Sequence, residues 1–300
     1  MIQPKRFPKL PENFEYETEV RESLDREHTL FFNIYRKKDV VPERGLLIIH
    51  GQGEHGGRYQ HFAHYLKDEY DLIIAPDLRG HGRSEGIRGH VGSFDEYVDD
   101  AMLAWDVLGQ KLSKGTQKGW RRDWFGHSMG GLVTLRAFLY RPDTEARHVM
   151  VSSPLLDFKF KVPFVKDIAA RLLSHVWGTL QMDTGLNAGA LSHDPAVVEA
   201  YLKDQLNHSK ATPSFYLSCI AAMNEMRTAD LRFPSETSVL FQVAGEDEIV
   251  DADTTVRFFE RLHHADKTLI SYPGLFHEIF NEETKDHVFA DLISWLKEKP

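Results

Sequence analysis

A serine, an acid and a histidine occur in this sequence in the order and setting that acyl transfer requires. Ser128 is at the centre of the pentapeptide GHSMG at residues 126–130. A serine hydroxyl is a weak nucleophile, so it needs a general base and a group that orients the base. Asp247 and His277 follow the serine in that order, each shortly after an apolar run. We predict Ser128 as nucleophile, His277 as base and Asp247 as the acid that orients it.

The residues around Ser128 fit a tight turn between a strand and a helix. A short apolar run precedes the pentapeptide and a helical pattern follows it at 132–140. On such a turn the nucleophile takes a strained backbone conformation, and side chains two residues to either side would collide with it. The glycines at 126 and 130 therefore predict a nucleophile elbow.

A tetrahedral intermediate carries a developing negative charge on oxygen, and two preorganised donors are needed to stabilise it. We predict that one donor is the backbone N–H of Met129, directly after the nucleophile at a helix N-terminus. The other donor is predicted to be the backbone N–H of Gln52, in the glycine-rich loop that follows the apolar run at 46–49.

Other residues compete for the acid and base roles. Asp251 and Asp253 are alternative acids, but they begin a predicted helix, where carboxylates favour the helix dipole. His263 and His264 are alternative bases, but they end that helix, where a cation is favourable. Their positions therefore have a structural explanation that those of Asp247 and His277 lack.

Residues 51–56, GQGEHG, also match the glycine pattern of a dinucleotide-binding loop, and Asp77 closes the next strand. Against that reading, Glu54 stands where a pyrophosphate would approach, two strands precede the loop, and the predicted serine chemistry is left unexplained. We predict no cofactor.

Histidines suggest a metal site only weakly. His61 and His64 are three residues apart on a predicted helix, with His50 and His55 nearby, but no third ligand has convincing spacing. The segment after His277 lacks the second histidine of a zincin helix. We therefore predict no metal.

The rest of the chain supplies elements that would bring these residues together. Alternating patterns at 16–23 and 29–35 predict a hairpin, and unbroken apolar runs predict strands buried on both faces. These runs fall at 46–49, 72–75, 123–125, 149–151, 239–243 and 268–272. Helical patterns between them, at 59–67, 94–108, 132–140, 254–262 and 288–296, predict an α/β class fold with a mostly parallel, doubly wound sheet.

About 80 residues between 151 and 239 interrupt this alternation with helical patterns alone. One of them, at 164–177, has an apolar face broader than a surface helix needs. We predict a helical cap at 155–210 inserted into a core domain formed by 1–154 and 211–300. The alternative is that these helices simply extend the core.

Composition excludes several classes of function. The net charge is -9, opposite in sign to a nucleic-acid-binding surface. Cys219 is the single cysteine, so an internal disulfide is impossible and the chain does not need an oxidising compartment. The N-terminus resembles no secretory signal, and no apolar stretch is long enough to span a membrane. We predict a cytoplasmic protein that is peripheral to membranes and binds no nucleic acid.

With these residues placed, the chain resembles the α/β-hydrolase superfamily, and within it the monoacylglycerol lipase and lysophospholipase group of serine hydrolases. The resemblance covers nearly the whole chain. The segments that carry it are 50–59, HGQGEHGGRY; 77–86, DLRGHGRSEG; 126–131, GHSMGG; 245–247, GED; and 277–278, HE.

The resemblance implies an ester hydrolase with an apolar tunnel for an acyl chain beneath the cap. The broad apolar face of the cap separately predicts contact with a lipid surface, and the alternative is ordinary packing. Glu54 and Arg58 match residues that lie near the substrate head group in monoacylglycerol lipases; the alternative is a structural ion pair. Phe280 replaces a second histidine of the vertebrate enzymes, and His277-Glu278 is more similar to bacterial lysophospholipases. Aminopeptidase, short-chain esterase and non-catalytic binding functions remain alternatives.

Overall fold

A computed structural model describes residues 7–112 and 121–299. Within them, eight strands form one sheet in the order β1-β2-β4-β3-β5-β6-β9-β10, and β7 pairs with β8 in a separate ribbon. The strands are β1 Phe14–Glu22, β2 Thr29–Lys37, β3 Arg44–Ile49, β4 Leu72–Asp77, β5 Arg121–His127, β6 His148–Ser152, β7 Met182–Asp183, β8 Lys210–Ala211, β9 Ser238–Ala244 and β10 Lys267–Tyr272. β2 pairs antiparallel with β1 and β4, and the other neighbours in the large sheet pair in parallel.

Helices cover both faces of the parallel part. They are α1 Gln60–Tyr65, α2 Asp95–Lys111, α3 Met129–Tyr140, α4 Phe164–Trp177, α5 Pro195–Lys203, α6 Pro213–Thr228, α7 Ala252–Arg261 and α8 Lys285–Glu298. Alternate strand residues point to opposite sides, so Leu47 and Ile49 join the core beneath α2, α3 and α6, whereas Leu46 and Ile48 join the core beneath α1 and α8. The predicted doubly wound α/β fold is confirmed.

Parallel pairing determines where chemistry can occur. β3, β5, β9 and β10 run in the same direction, so the loops that follow them emerge at one edge of the sheet. Open α/β sheets bind ligands at this carboxyl edge. The four loops carry the predicted oxyanion donor, nucleophile, acid and base, respectively.

The segment between β6 and β9 contains α4, α5, α6 and the short ribbon of β7 and β8. The assignment of 155–210 as a separate cap stays a prediction. Residues 1–6, 113–120 and 300 of the predicted core lie outside the described residues. Within the described ranges, no helix combines the length and apolarity needed to cross a membrane.

Candidate active site

Ser128 lies at the turn between β5 and α3, in a backbone conformation that is rare for a residue with a side chain. Its φ is 54° and its ψ is -118°. Holding a serine there is costly, and such strain clusters at functional sites. A Cβ on Gly126 would lie 2.4 Å from the carbonyl oxygen of Gly130, and one on Gly130 would lie 2.1 Å from that of Ile49. The two glycines therefore allow the helix to begin immediately against β3 and β5.

Asp247 and His277 form a buried hydrogen-bonded pair. The Nδ1 atom of His277 is 2.7 Å from Oδ2 of Asp247. The other carboxylate oxygen, Oδ1, accepts backbone N–H groups of Ile249 and Val250, each at 2.8 Å. These bonds fix the carboxylate, and the carboxylate in turn fixes the ring so that Nε2 is left for a substrate or nucleophile.

The electrostatics of the pair suit a general base. Burial disfavours the charged form of His277, but the adjacent Asp247 carboxylate outweighs it and raises the pKa of the imidazole above its ordinary value. Burial alone would raise the pKa of Asp247, yet His277 and the two backbone donors lower it below its ordinary value. Asp247 is thus kept ionised beside an imidazole that readily accepts a proton.

The residue before the predicted nucleophile touches the predicted base. The ring centroids of His127 and His277 are 4.8 Å apart. Burial, followed by the nearby His277, lowers the pKa of His127 to about 4, so its ring is neutral near pH 7. The loops that carry Ser128 and His277 are therefore neighbours at the sheet edge.

The competing acids and bases lie at the two ends of α7, where the sequence placed them. Asp251 precedes α7 and accepts the Thr254 hydroxyl at 2.5 Å, as expected for a residue at a helix start. His264 Nε2 lies 2.6 Å from the carbonyl oxygen of Thr237, and His263 is exposed. Asp253 lies in the first turn of α7. These positions agree with the structural explanation drawn from the sequence.

The predicted oxyanion donors belong to the first residue of α3 and to the loop that follows β3. Met129 is the first residue of α3, and the amides of Gly131 and Leu132 donate to the Ser128 carbonyl oxygen. The first N–H groups of a helix have no intrahelical acceptor, so that of Met129 is available to a ligand. The Gln52 side chain is fixed from both ends, because its Nε2 donates to the carbonyl of residue 210 at 2.9 Å and its Oε1 lies 3.0 Å from His81 Nε2.

A chain segment before β8 clamps the same loop. The carbonyl oxygen of Gly53 accepts the backbone N–H of His208 at 2.9 Å and the hydroxyl of Tyr201 at 3.2 Å. Gly53 has a φ of 76°, and a Cβ there would lie 2.3 Å from the His208 carbonyl oxygen. The clamp was not predicted from the sequence.

Glu54 and Arg58, the predicted head-group contacts, bind each other. Arg58 Nη1 donates to Glu54 Oε2 at 2.5 Å and to Glu278 Oε1 at 2.7 Å, while Nη2 donates to Glu278 Oε2 at 2.7 Å. Tyr59 donates its hydroxyl to Glu54 Oε1 at 2.8 Å. This geometry supports the structural ion pair, and a head-group role stays a prediction. Glu278, noted in the sequence only as part of the resemblance, is the partner that sequence reasoning missed.

Glu54 and Arg58 remain charged over a wide pH range. Burial raises the pKa of Glu54, but Arg58 and nearby groups outweigh it and lower the pKa to about 2. Burial likewise opposes the charge on Arg58, yet the two carboxylates raise the pKa of the guanidinium well above its ordinary value. Breaking one partner away from such a cluster leaves an uncompensated buried charge.

Phe280, at which the sequence departs from the pattern that the resemblance implies, is part of an aromatic core. Its ring centroid is 5.1 Å from that of Phe62, 5.3 Å from Phe125 and 4.8 Å from Phe289. The side chain is buried. Phe280 therefore contributes to the packing of this core.

Two of the histidines considered as metal ligands, His61 and His55, have hydrogen-bond partners within the protein. His61 is buried, and its ring nitrogens lie 3.2 Å from the carbonyl oxygens of Arg58 and Phe280. Burial lowers the pKa of His61 to about 3, so the ring is neutral. His55 Nε2 lies 3.3 Å from Asp204. These contacts tie loops together.

A groove of about 550 Å³ opens beside the predicted base. Phe276, the residue before His277, forms one wall, and Pro195, Val198 and Leu202 of α5 contribute apolar surface. Ser128 does not line this groove, so we do not assign it to the acyl chain.

A serine on a strained turn at the carboxyl edge of a doubly wound sheet is typical of the α/β-hydrolase fold. Together with the family match and the relatives given next, it defines the class of this protein as a serine ester hydrolase with that fold. The family model described as "Serine aminopeptidase, S33" matches residues 41–284. The chain belongs to this family, and within it to the monoacylglycerol lipase group.

Individual relatives agree with that group. The monoacylglycerol lipase of Mycolicibacterium smegmatis is 30% identical over 86% of this chain and 89% of its own. Phospholipase YtpA of Bacillus subtilis is 29% identical over 83% of this chain and 93% of its own. The crystal structure of the Paleococcus ferrophilus monoacylglycerol lipase has a TM-score of 0.77 at 28% identity, covering 95% of this chain and all of that one. This chain spans 27% of a longer Dictyostelium discoideum abhydrolase domain-containing protein, at 29% identity over 87% of this chain.

Proposed function

We propose that this enzyme hydrolyses the carboxylic ester of single-chain acyl lipids, of the monoacylglycerol and lysophospholipid type, through Ser128, His277 and Asp247. The observation that carries the proposal is the Asp247–His277 hydrogen bond of 2.7 Å at the sheet edge that also holds Ser128 on its strained turn. The relatives named monoacylglycerol lipase and phospholipase support the substrate class.

In the first step, Ser128 Oγ attacks the ester carbonyl carbon while its proton passes to His277 Nε2. The carbonyl oxygen becomes an oxyanion, which the backbone N–H groups of Gln52 and Met129 stabilise. The tetrahedral intermediate then collapses. The bond to the alcohol breaks, and His277 gives its proton to the departing oxygen.

The second step repeats the chemistry with water. His277 accepts a proton from water, whose oxygen attacks the acyl-serine carbonyl, and the same two amides hold the second oxyanion. Collapse releases the fatty acid and returns the proton to Ser128. The net reaction consumes one water and needs no cofactor.

Peptide-bond cleavage is the principal alternative, since the family model carries an aminopeptidase description. An aminopeptidase must bind the substrate's terminal ammonium group, and a carboxylate is the usual partner for such a cation. Glu54 and Glu278 are buried carboxylates in the loops that carry Gln52 and His277, and both already bind Arg58. That pairing favours the neutral ester substrate over a cationic one.

Helix α4 offers a means of approaching a lipid surface. Its exposed apolar side chains include Phe164, Val165, Leu172, Val176 and Trp177. An amphipathic helix of this kind binds at membrane interfaces through its apolar face. We propose that α4 contacts the surface in which the substrate resides. The single cysteine, Cys219, is compatible with a cytoplasmic enzyme that is peripheral to the membrane.

A substrate panel tests the proposal. Monoacylglycerols, lysophospholipids and simple esters of C4 to C16 acyl chains would be compared by kcat/KM, together with aminoacyl amides. Each methylene buried in a dry tunnel contributes up to ~0.8 kcal/mol, so kcat/KM should rise steeply with chain length until the tunnel ends.

Each part of the proposed function has an experimental outcome that would contradict it. A flat chain-length profile would remove the acyl tunnel and favour a general short-chain esterase. Cleavage of aminoacyl amides without cleavage of lipid esters would favour the aminopeptidase. Failure of a fluorophosphonate to label Ser128 would favour a non-catalytic binding protein.

A further inference from the structure

Arg58 connects two loops that are far apart in the sequence and that both carry proposed catalytic groups. On one side it binds Glu54, in the loop that contains Gln52; on the other it binds Glu278, the residue after His277. Its side chain is only 10% exposed. An arginine with two loop carboxylates as partners is well placed to fix the distance between those loops.

On the first side, Glu54 acts directly on the loop backbone. Its Oε1 accepts the N–H of Gly51 at 2.6 Å, one residue before the proposed donor Gln52. A Cβ on Gly51 would lie 3.1 Å from that Oε1 and 3.2 Å from the Cβ of Ser128. The Glu54 carboxylate therefore holds the backbone of the loop next to Ser128.

On the second side, Glu278 is held in a fixed position beside the base. Its carboxylate makes the bidentate contact to Arg58 and accepts the Asn281 side chain at 2.7 Å. Its backbone N–H donates to the carbonyl of Leu191 at 2.8 Å. Since peptide planes are rigid, fixing residue 278 at both its backbone and its side chain restricts the position of His277.

The contacts leave little of this cluster for a substrate. Glu54 and Glu278 use both oxygens in hydrogen bonds. The Arg58 guanidinium also lies over the Tyr201 ring at 5.0 Å. Arg58 binds carboxylates of the protein through both terminal nitrogens, as a planar bidentate donor does best.

We propose that Arg58 is a positioning residue that couples the oxyanion loop at 50–54 to the histidine loop at 276–282, so that both keep the geometry needed for the transition state. This inference rests on the proposed function in one respect, the identity of the reacting residues. It does not depend on the lipid substrate, because it concerns any ester that the site hydrolyses. It differs from the head-group role implied by the resemblance, in which Arg58 would act on the alcohol part of the substrate.

Two substrates distinguish a positioning role of Arg58 from a head-group role. A monoacylglycerol has the glycerol head group, whereas a p-nitrophenyl ester of the same acyl chain has none. Arg58→Met and Glu278→Gln are expected to lower kcat roughly 10- to 100-fold on both esters, with KM changed less than threefold, because small misplacements of reacting groups carry penalties of that order. Loss on the glycerol ester alone, with a raised KM, would overturn the proposal in favour of head-group binding.

A double variant tests the coupling itself. If Arg58 and Glu278 act as one unit, the double substitution should be no slower than the worse single one. Additive losses would contradict the coupling. Glu278→Gln should also move the acidic limb of kcat/KM to lower pH, because the Glu278 charge helps to raise the pKa of His277.

Control variants distinguish a loss of positioning from a general effect of substitution or unfolding. Arg232→Met removes an exposed arginine that pairs with Asp230 in the segment between α6 and β9, and it should leave both rates unchanged. Arg58→Lys retains the charge but loses the planar fork, and it should recover only part of kcat. Thermal unfolding identifies any variant that has lost its fold. If Arg58→Met does not fold, the milder substitution Glu278→Gln provides the test.

The rate of Ser128 labelling by a fluorophosphonate is measured in parallel, because it needs no lipid. A slower rate in Arg58→Met than in the wild type is expected, and an equal rate overturns the proposal. A wild-type enzyme that cleaves the aryl ester but no lipid would refute the proposed substrate class, while the coupling would still be measured on the aryl ester. A wild-type enzyme inert to the fluorophosphonate would refute both.

Discussion

The carboxyl edge of the sheet and helix α4 present opposite designs. At the edge, Ser128, Asp247 and His277 are each no more than 7% exposed, and Asp247 and His277 are bonded to each other. On α4, Leu172 is 67% and Val176 87% exposed, and no polar group fixes them. One region depends on polar geometry, and the other presents apolar area.

The difference predicts how substitutions at the sheet edge and on α4 should affect activity. Buried polar networks are stabilised by directed bonds, so a displacement of a few tenths of an ångström already changes their energy. Apolar contact with a lipid surface is non-directional and scales with area. Activity should therefore be sensitive to small displacements at the sheet edge and tolerant of small displacements on α4.

The largest effect should come from the nucleophile. Ser128→Ala removes the attacking oxygen, and we expect kcat for ester hydrolysis to fall by about 10⁴-fold or more. Initial rates on a monoacylglycerol and on an aryl ester would measure the loss. Ser235→Ala, an exposed serine distant in sequence, is the matched control. Substantial hydrolysis by the Ser128 variant would mean that another group performs the attack.

A smaller but sharper effect is expected at Gly53. Gly53→Ala would place a Cβ 2.3 Å from the His208 carbonyl oxygen and so force the oxyanion loop away from its clamp. Complete loss of an oxyanion donor typically lowers kcat by ~10² to 10³-fold, and partial displacement should lower it by about tenfold.

The matched control for Gly53 is Gly185→Ala. Gly185 has a similar φ of 69°, but a Cβ there would meet nothing within 4 Å. Both substitutions therefore carry the left-handed backbone penalty of ~1 to 2 kcal/mol, and only the first disturbs the clamp. Equal kcat in the two variants would show that the clamp does not set the geometry of the oxyanion loop.

The pH profile tests the base without any substitution. Neutral His277 accepts the serine proton, so kcat/KM should fall as the pH drops through the pKa of His277. Asp247 raises that pKa above the ordinary 6.5, and the midpoint of the acidic limb should therefore lie above pH 6.5. A midpoint below 6.5 on a neutral, freely dissolved ester would contradict the role of Asp247. Asp247 itself stays ionised there because its pKa is lowered.

Sequence order predicts Ser128, Asp247 and His277 as the candidate residues, because each follows an apolar run and parallel strands bring their carboxyl ends to one edge. The helix at 164–177 was likewise visible in its periodicity. The contacts of Arg58 with Glu278 and of Gly53 with Tyr201 were not, because they join residues 220 and 148 positions apart. Such pairs depend on how loops pack across the edge, which neither spacing nor propensity encodes.

The smallest expected effect concerns α4 and depends on how the substrate is presented. Leu172→Ser combined with Val176→Ser removes exposed apolar area, which at ~1 kcal/mol of lost interfacial burial corresponds to about fivefold weaker binding to vesicles. Hydrolysis of a monoacylglycerol in phosphatidylcholine vesicles should fall by that factor, whereas hydrolysis of a short, dissolved ester should not change. Val41→Ser, an exposed apolar residue that precedes β3, is the control and should leave both rates unchanged. A loss on both substrates would instead assign these side chains to the site itself, and the contrast between a precise edge and a tolerant helix would not hold.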